Sequence, residues 1–236
     1  MEGFSYVDIF DTKGIEYLIV IGFLLLIIPT WILLNKPVQV KNAILNSLQI
    51  LSVQLLKIPR GLFYNKKHTW VYMEKSGDAK IGIDDLLLHL TGGVSVNFRH
   101  FEGDIVKKGE ILASINRGER KLQITSPISG QIIKVNKLLQ SKEGTINEDP
   151  YDKGWLTTIK PVKWKEEIKD FVFAEEAENW AREELERCKD FLLSIAQKSS
   201  SSGQPLVLQE GGEISDFPMA EMPLEIWNKF QQEFLT

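Results

Sequence analysis

The longest apolar pattern lies near the start of the chain. Residues 15–34, IEYLIVIGFLLLIIPTWILL, carry one charge, Glu16. Twenty such residues in a helix rise about 30 Å, close to the thickness of a bilayer's hydrocarbon core, so a transmembrane helix is expected here. Tyr17 and Trp31 stand near its two ends, where interfacial aromatics gather, and Pro29 is expected to kink its last turns. A secretory signal peptide fits less well. The preceding segment is acidic (Glu2, Asp8, Asp11, against Lys13), the run is long, and no small-residue cleavage site follows. Lys13 precedes the run, whereas Lys36 and Lys41 follow closely. This bias predicts a single-pass protein of the cytoplasmic membrane with its globular part in the cytoplasm.

The period then changes. Over residues 42–58, Ile44, Leu48, Leu51, Leu55 and Ile58 recur at helical spacing opposite Asn42, Asn46 and Gln49. Such a helix can lie on a membrane, on a partner subunit or on the protein's own domain. Pro59-Arg60-Gly61 ends it. From Leu62 the pattern becomes one of short strands between turns. His68–Tyr72 and Ala79–Ile83 flank a turn at Lys75–Asp78, and Asp84 is placed to cap a short helix over Asp85–Leu90, closed by Gly92-Gly93. Val94–Phe98, Glu110–Ile115, Leu122–Thr125 and Gln131–Val135 are further strands. Glu102–Asp104 and Lys107–Gly109 are loops around a two-residue apolar pair. Many short strands at this spacing indicate a small β sandwich or barrel.

Charge and cysteine content narrow the function classes. Twenty-eight Lys+Arg against 32 Asp+Glu give a net charge of -4, so no global positive field draws the chain to nucleic acid. One cysteine, Cys188, excludes an internal disulfide, and its place in a helical stripe points to the core. His68, His89 and His100 show no metal-site spacing, and no metal is expected. The acidic residues Asp84, Asp85, Glu102 and Asp104 sit in turns and caps. No Ser/His/Asp or Cys/His set supports a nucleophile, so neither enzymatic activity nor a small-molecule substrate is expected.

Several segments, taken in order, resemble one family. They are His68-Thr69-Trp70, Gly82-Ile83, Gly103-Asp104-Ile105-Val106-Lys107-Lys108-Gly109-Glu110, Ser126-Pro127-Ile128-Ser129-Gly130, Val135-Asn136, and Ile146-Asn147-Glu148-Asp149-Pro150-Tyr151 through Gly154-Trp155-Leu156. Together they resemble the glycine cleavage H protein, and the Gly-Asp-x-Val-x-x-Gly and Pro-x-Ser-Gly types are shared with lipoyl and biotinyl domains. The resemblance covers roughly residues 62–165. It implies a barrel-sandwich hybrid with flanking helices, and a lysine at a hairpin tip that carries lipoate and shuttles an aminomethyl group between glycine cleavage enzymes.

The lysine's place can be located by counting. In the family it lies ten residues after the last glycine of Lys-Lys-Gly and seven before the serine of Ser-Pro. Both counts arrive at Glu119. A carboxylate cannot form the amide that an ε-amine forms with lipoic acid, and the family's acidic residue three positions earlier is Asn116. Lys121 is the nearest substitute attachment residue, on the same strand face as residue 119. Arg117, Gly118, Glu119 and Arg120 form either a solvated turn or a docking surface for an acidic partner.

Residues 164–197 read as helix, with Ala181, Leu185, Cys188, Leu192 and Ile195 on one stripe and Glu183, Glu184, Glu186, Arg187 and Lys189 on the other faces. Ser199–Gly203 is a break. Trp227, Phe230 and Phe234 mark a short amphipathic helix that folds back or binds another subunit. The expected organisation is an N-terminus at 1–14, a span at 15–34, an amphipathic linker at 35–61, the β domain at 62–163, a helix at 164–198 and a tail at 199–236. The function expected first is a lipoate-free docking subunit of a membrane complex, its partners being the bilayer and other protein subunits. The alternative is a lipoyl carrier of glycine cleavage, loaded on Lys121.

Overall fold

The computed structural model describes residues 9–34, 56–142, 144–201, 217–220 and 222–236. Helix α1 spans Ile9–Leu34 and so begins before the expected residue 15. Between Tyr17 and Trp31 its large side chains point outward, Tyr17 and Trp31 being 66% and 65% exposed. Among the described residues no helix is long and apolar enough to cross a membrane. The amphipathic segment 42–58 lies outside the described residues except for its last three positions.

The β domain is built from two antiparallel sheets. Ten strands contribute: β1 Phe63–Asn65, β2 Thr69–Met73, β3 Ala79–Ile83, β4 Ser95–Phe98, β5 Ile105–Val106, β6 Ile111–Arg117, β7 Arg120–Thr125, β8 Gly130–Val135, β9 Thr157–Pro161 and β10 Val172–Phe173. The larger sheet runs β10-β1-β2-β3-β9-β8-β5, and the smaller runs β4-β6-β7. Alternation with period two sends Val71, Ile81, Leu112, Ile115, Leu122, Ile124, Ile132 and Ile159 into the space between them, each at most 1% exposed. Gly82 is required by packing: a Cβ there would stand 2.4 Å from the indole of Trp70, which is itself fully buried. Between the sheets' strands lie α2 (Asp85–Thr91), α3 (Leu138–Ser141) and α4 (Thr145–Glu148). Asp84 caps α2 as expected, its carboxylate accepting from the Leu87 N–H at 2.9 Å.

One segment departs from the sequence pattern. The continuous helix expected from residue 164 is broken into α5 (Trp164–Glu167), strand β10 and α6 (Glu175–Ser201). The break follows from Phe63 at the sheet edge. Phe173 pairs with it in register and stacks on it at 4.8 Å, while Trp164 meets it edge-on at 5.4 Å. Ala174 then turns the chain through a left-handed conformation at φ 53°. Pairing a bare strand edge and bringing three aromatic rings into contact outweigh a helical propensity of a few tenths of a kcal/mol per residue. At the C-terminus the structure takes the fold-back alternative. Helix α7 (Leu224–Phe230) and the π-turn Gln231–Leu235 fold back on the domain, burying Trp227, Phe230 and Phe234 to 3% exposure or less.

Candidate functional site

The hairpin β6–β7 projects from the smaller sheet. Arg117 pairs with Arg120, Asn116 with Lys121 and Ile115 with Leu122. The strands therefore run further than expected, and the five-residue turn 116–120 shrinks to two residues, Gly118-Glu119. Gly118 adopts φ +60°, the left-handed conformation that a tight hairpin demands and glycine accepts without strain. Gly118 and Glu119 are exposed at the tip. Lys121 and Gln123 are exposed, whereas Leu122 and Ile124 between and beyond them face the core. Glu119 thus occupies the most projecting position, with Lys121 on the outer face of β7.

The docking surface expected at 117–120 is reduced by internal bonds. The Arg117 guanidinium donates to the Gly93 carbonyl at 3.2 Å, and Arg120 donates to the Ala220 carbonyl at 2.8 Å. Both arginines are half-buried. Only Gly118 and Glu119 of the four stand fully outward.

Behind the hairpin, three charged side chains are buried together. His68, 0% exposed, precedes β2 in a left-handed conformation at φ 60°. Its Nδ1 lies 2.9 Å from Asp84 Oδ2 and its Nε2 lies 3.6 Å from Glu184 Oε1. Burial by itself would lower the histidine's pKa, but the charge and hydrogen bond of Asp84, joined by Glu184, reverse this and raise it to about 9. Burial pushes Glu184 the other way from its partners; His68 first, then Arg187, hold its carboxyl below the usual range. The two directions agree on a protonated imidazolium between carboxylates. Arg187 extends the chain of contacts, donating to Glu184 at 2.9 Å and to the Glu233 carbonyl at 2.7 Å, and lying 4.2 Å from the centre of the Phe234 ring. Glu184, placed on a polar outer face by helical periodicity, is 6% exposed. Only the capping role of Asp84 was legible locally; the meeting of residues 68, 84 and 184 depends on α6 crossing the sheet.

The motif Asn147–Tyr151 proves to be a set of backbone ties. Asn147 Nδ2 donates to the Gly92 carbonyl at 2.7 Å and its Oδ1 accepts from Val94 at 3.3 Å. The Tyr151 hydroxyl donates to the Lys57 carbonyl at 2.6 Å and accepts from the Asp85 N–H at 3.1 Å, while Asp85 Oδ2 accepts from Lys57 N–H at 2.8 Å. These bonds hold the chain's entry to the β domain. Cys188 is buried, and burial raises its thiol pKa well above the usual value. Among the described residues no group of three or more His, Cys, Asp or Glu side chains could hold a metal ion.

Comparison with known proteins gives the class of this fold. A family model for the glycine cleavage H-protein matches residues 62–184, just over half of the chain. The chain belongs to that family. A probable glycine cleavage system H protein of Pyrococcus furiosus is 34% identical over 118 residues, covering 50% of this chain and 87% of the relative. The glycine cleavage system H protein 2 of Aquifex aeolicus is 32% identical over 132 residues, covering 55% and 81%. A crystal structure of a glycine cleavage system H protein from Mycobacterium marinum aligns with 26% identity and a TM-score of 0.46, covering 52% of this chain and 97% of that one. The matched region ends within α6, at Glu184, so α1, α7 and the π-turn Gln231–Leu235 lie outside it.

Proposed function

We propose that this chain is a carrier of the H-protein type that presents Lys121 for amide-linked lipoate. The observation that carries the reading is the intact hairpin Ile111–Thr125 with Lys121 exposed on its outer face, two residues from the tip. Glu119 does not fit the group, since a carboxylate offers no amine. Lys121 does: its Nζ can attack the carboxyl carbon of an activated lipoyl donor (a thioester or acyl adenylate). An amide bond forms, the amine loses a proton, and the donor's leaving group departs. Two residues along a strand shift the anchor by about 6–7 Å, a small offset for a long flexible arm. When bound, lipoate supplies a dithiolane that can be reduced and can carry a group between enzymes. The chain's own part is to hold that arm on a rigid hairpin, clear of the core.

A second reading rests on Glu119. The tip keeps its geometry while holding a residue that cannot be loaded, which supports a lipoate-free docking subunit. In either reading we propose that α1, with its outward apolar side chains, tethers the domain to a membrane, the C-terminal part lying on the cytoplasmic side. Intact-mass measurement on protein from its own cells tests the first reading. An added lipoyl mass that vanishes in Lys121→Ala is the expected result. Unmodified protein from cells whose other lipoyl proteins are loaded would overturn it in favour of the second.

A further inference from the structure

The C-terminal segment engages β7 on both sides of Lys121, at Arg120 and at Gln123. Arg120, on one side, donates to the Ala220 carbonyl at 2.8 Å. On the other side, the Gln231 side-chain amide bonds both backbone groups of Gln123. Its Oε1 accepts from Gln123 N–H at 2.6 Å, and its Nε2 donates to the Gln123 carbonyl at 3.2 Å. Because β7 is the outer strand of the β4-β6-β7 sheet, Gln123 presents a bare edge there, and a side-chain amide with one donor and one acceptor imitates the strand that would pair with it. The segment is itself well anchored. Met219 donates from its backbone to the Leu90 carbonyl at 2.9 Å, and Trp227 Nε1 donates to the Met219 carbonyl at 2.9 Å. Arg187 holds its far end at Glu233, as described above. The other flank of the hairpin, along Gly93–Ser95 and Asn116–Gly118, borders an open recess.

We propose that the segment Phe217–Leu235 is a clasp built in cis that shields the β7 edge, so that an enzyme acting on Lys121 must approach the hairpin from the β4 side. The loading consequence rests on the carrier reading above; the shielding does not. A macromolecular catalyst that must grip the β7 backbone at Gln123, two residues from Lys121, meets an edge already occupied, while Lys121 itself stays exposed. The clasp also suppresses edge-to-edge pairing with a second chain.

Gln231→Leu removes both amide bonds without touching the buried aromatics, so the fold is expected to survive. Limited trypsin digestion of the full chain, mapped by mass, then reads backbone access at Arg120 and Lys121. A several-fold faster cut in the variant, with an unchanged far-ultraviolet spectrum, is the expected result, and an equal cutting rate overturns the clasp. Loading is measured in parallel with a lipoylating enzyme. Faster cutting with faster loading supports the whole proposal. Faster cutting with loading unchanged overturns its loading consequence alone. Faster cutting with no lipoyl mass in either protein upholds the shield and overturns the carrier reading.

Discussion

The hairpin tip and the His68 cluster stand at opposite limits of what this fold tolerates. At the tip, Gly118-Glu119 projects into water, and the only demand on residue 119 is that it close a two-residue turn. At the cluster, an imidazolium with no exposed surface is set between Asp84 and Glu184, and each member is needed to offset the desolvation of the others. A carrier's chemistry lives at the first kind of place, its architecture at the second. Hence a residue at the tip can be exchanged at little cost while the surrounding sandwich keeps its strands, register and core.

This contrast can be tested from its costly end downward. His68→Asn keeps a residue that accepts the left-handed conformation but removes the cation, leaving buried Asp84 without its counter-ion and Glu184 with Arg187 alone. A loss of about 3–5 kcal/mol is expected in chemical denaturation, the range for breaking a buried pair. A loss under about 1 kcal/mol would show that the cluster is hydrated and not a structural tie.

The pH dependence is expected to be smaller. A histidine whose folded pKa is raised from 6.5 to about 9 contributes stability that is fully present below pH 6.5 and is lost as pH rises through about 9. Glu184, held below its ordinary value of 4.5, contributes stability present above that value and lost on acidification below it. Stability should therefore be highest between about pH 5 and 6.5, and the thermal midpoint should fall by several degrees towards pH 9. A flat profile from pH 6.5 to 9 in the wild type would refute the charged imidazolium. His68→Asn is expected to flatten the same limb.

The smallest effect on stability belongs to the tip. Glu119→Lys restores an amine where the family has one, and the exposed site predicts a change within about 0.5 kcal/mol. The same variant should gain a lipoyl mass at residue 119 when expressed beside a lipoylating enzyme. If it folds normally and stays unmodified, the hairpin as a whole has lost the features such an enzyme reads, Asn116 included.

The difference between these two places also explains what could be read in advance. Period-two alternation and turn chemistry are local, so the strands Ala79–Ile83 and Gln131–Val135 and the cap at Asp84 were legible. The spacing to Glu119 was legible too, because Lys-Lys-Gly and Ser-Pro frame the hairpin from both sides. The continuous helix after residue 164 was misjudged because Phe63, a hundred positions away, supplies a strand edge and a stacking surface that helical periodicity does not register. Glu184 was misplaced for the same reason. On α6 alone it is one more acid among acids, and only the packing of that helix over the start of β2 makes it a buried counter-ion.

The sequence by itself determined the family, the β-rich sandwich and the apolar character of α1, since each is written in residue type and near spacing. Tertiary structure decided that Arg117 and Arg120 donate to internal carbonyls, that His68 is buried between two carboxylates, and that the C-terminal aromatics close back over the domain. It also decided that Gln231 caps the edge beside Lys121. Those outcomes depend on which distant surfaces meet, and the desolvation and pairing energies they involve exceed the local preferences that a linear pattern records.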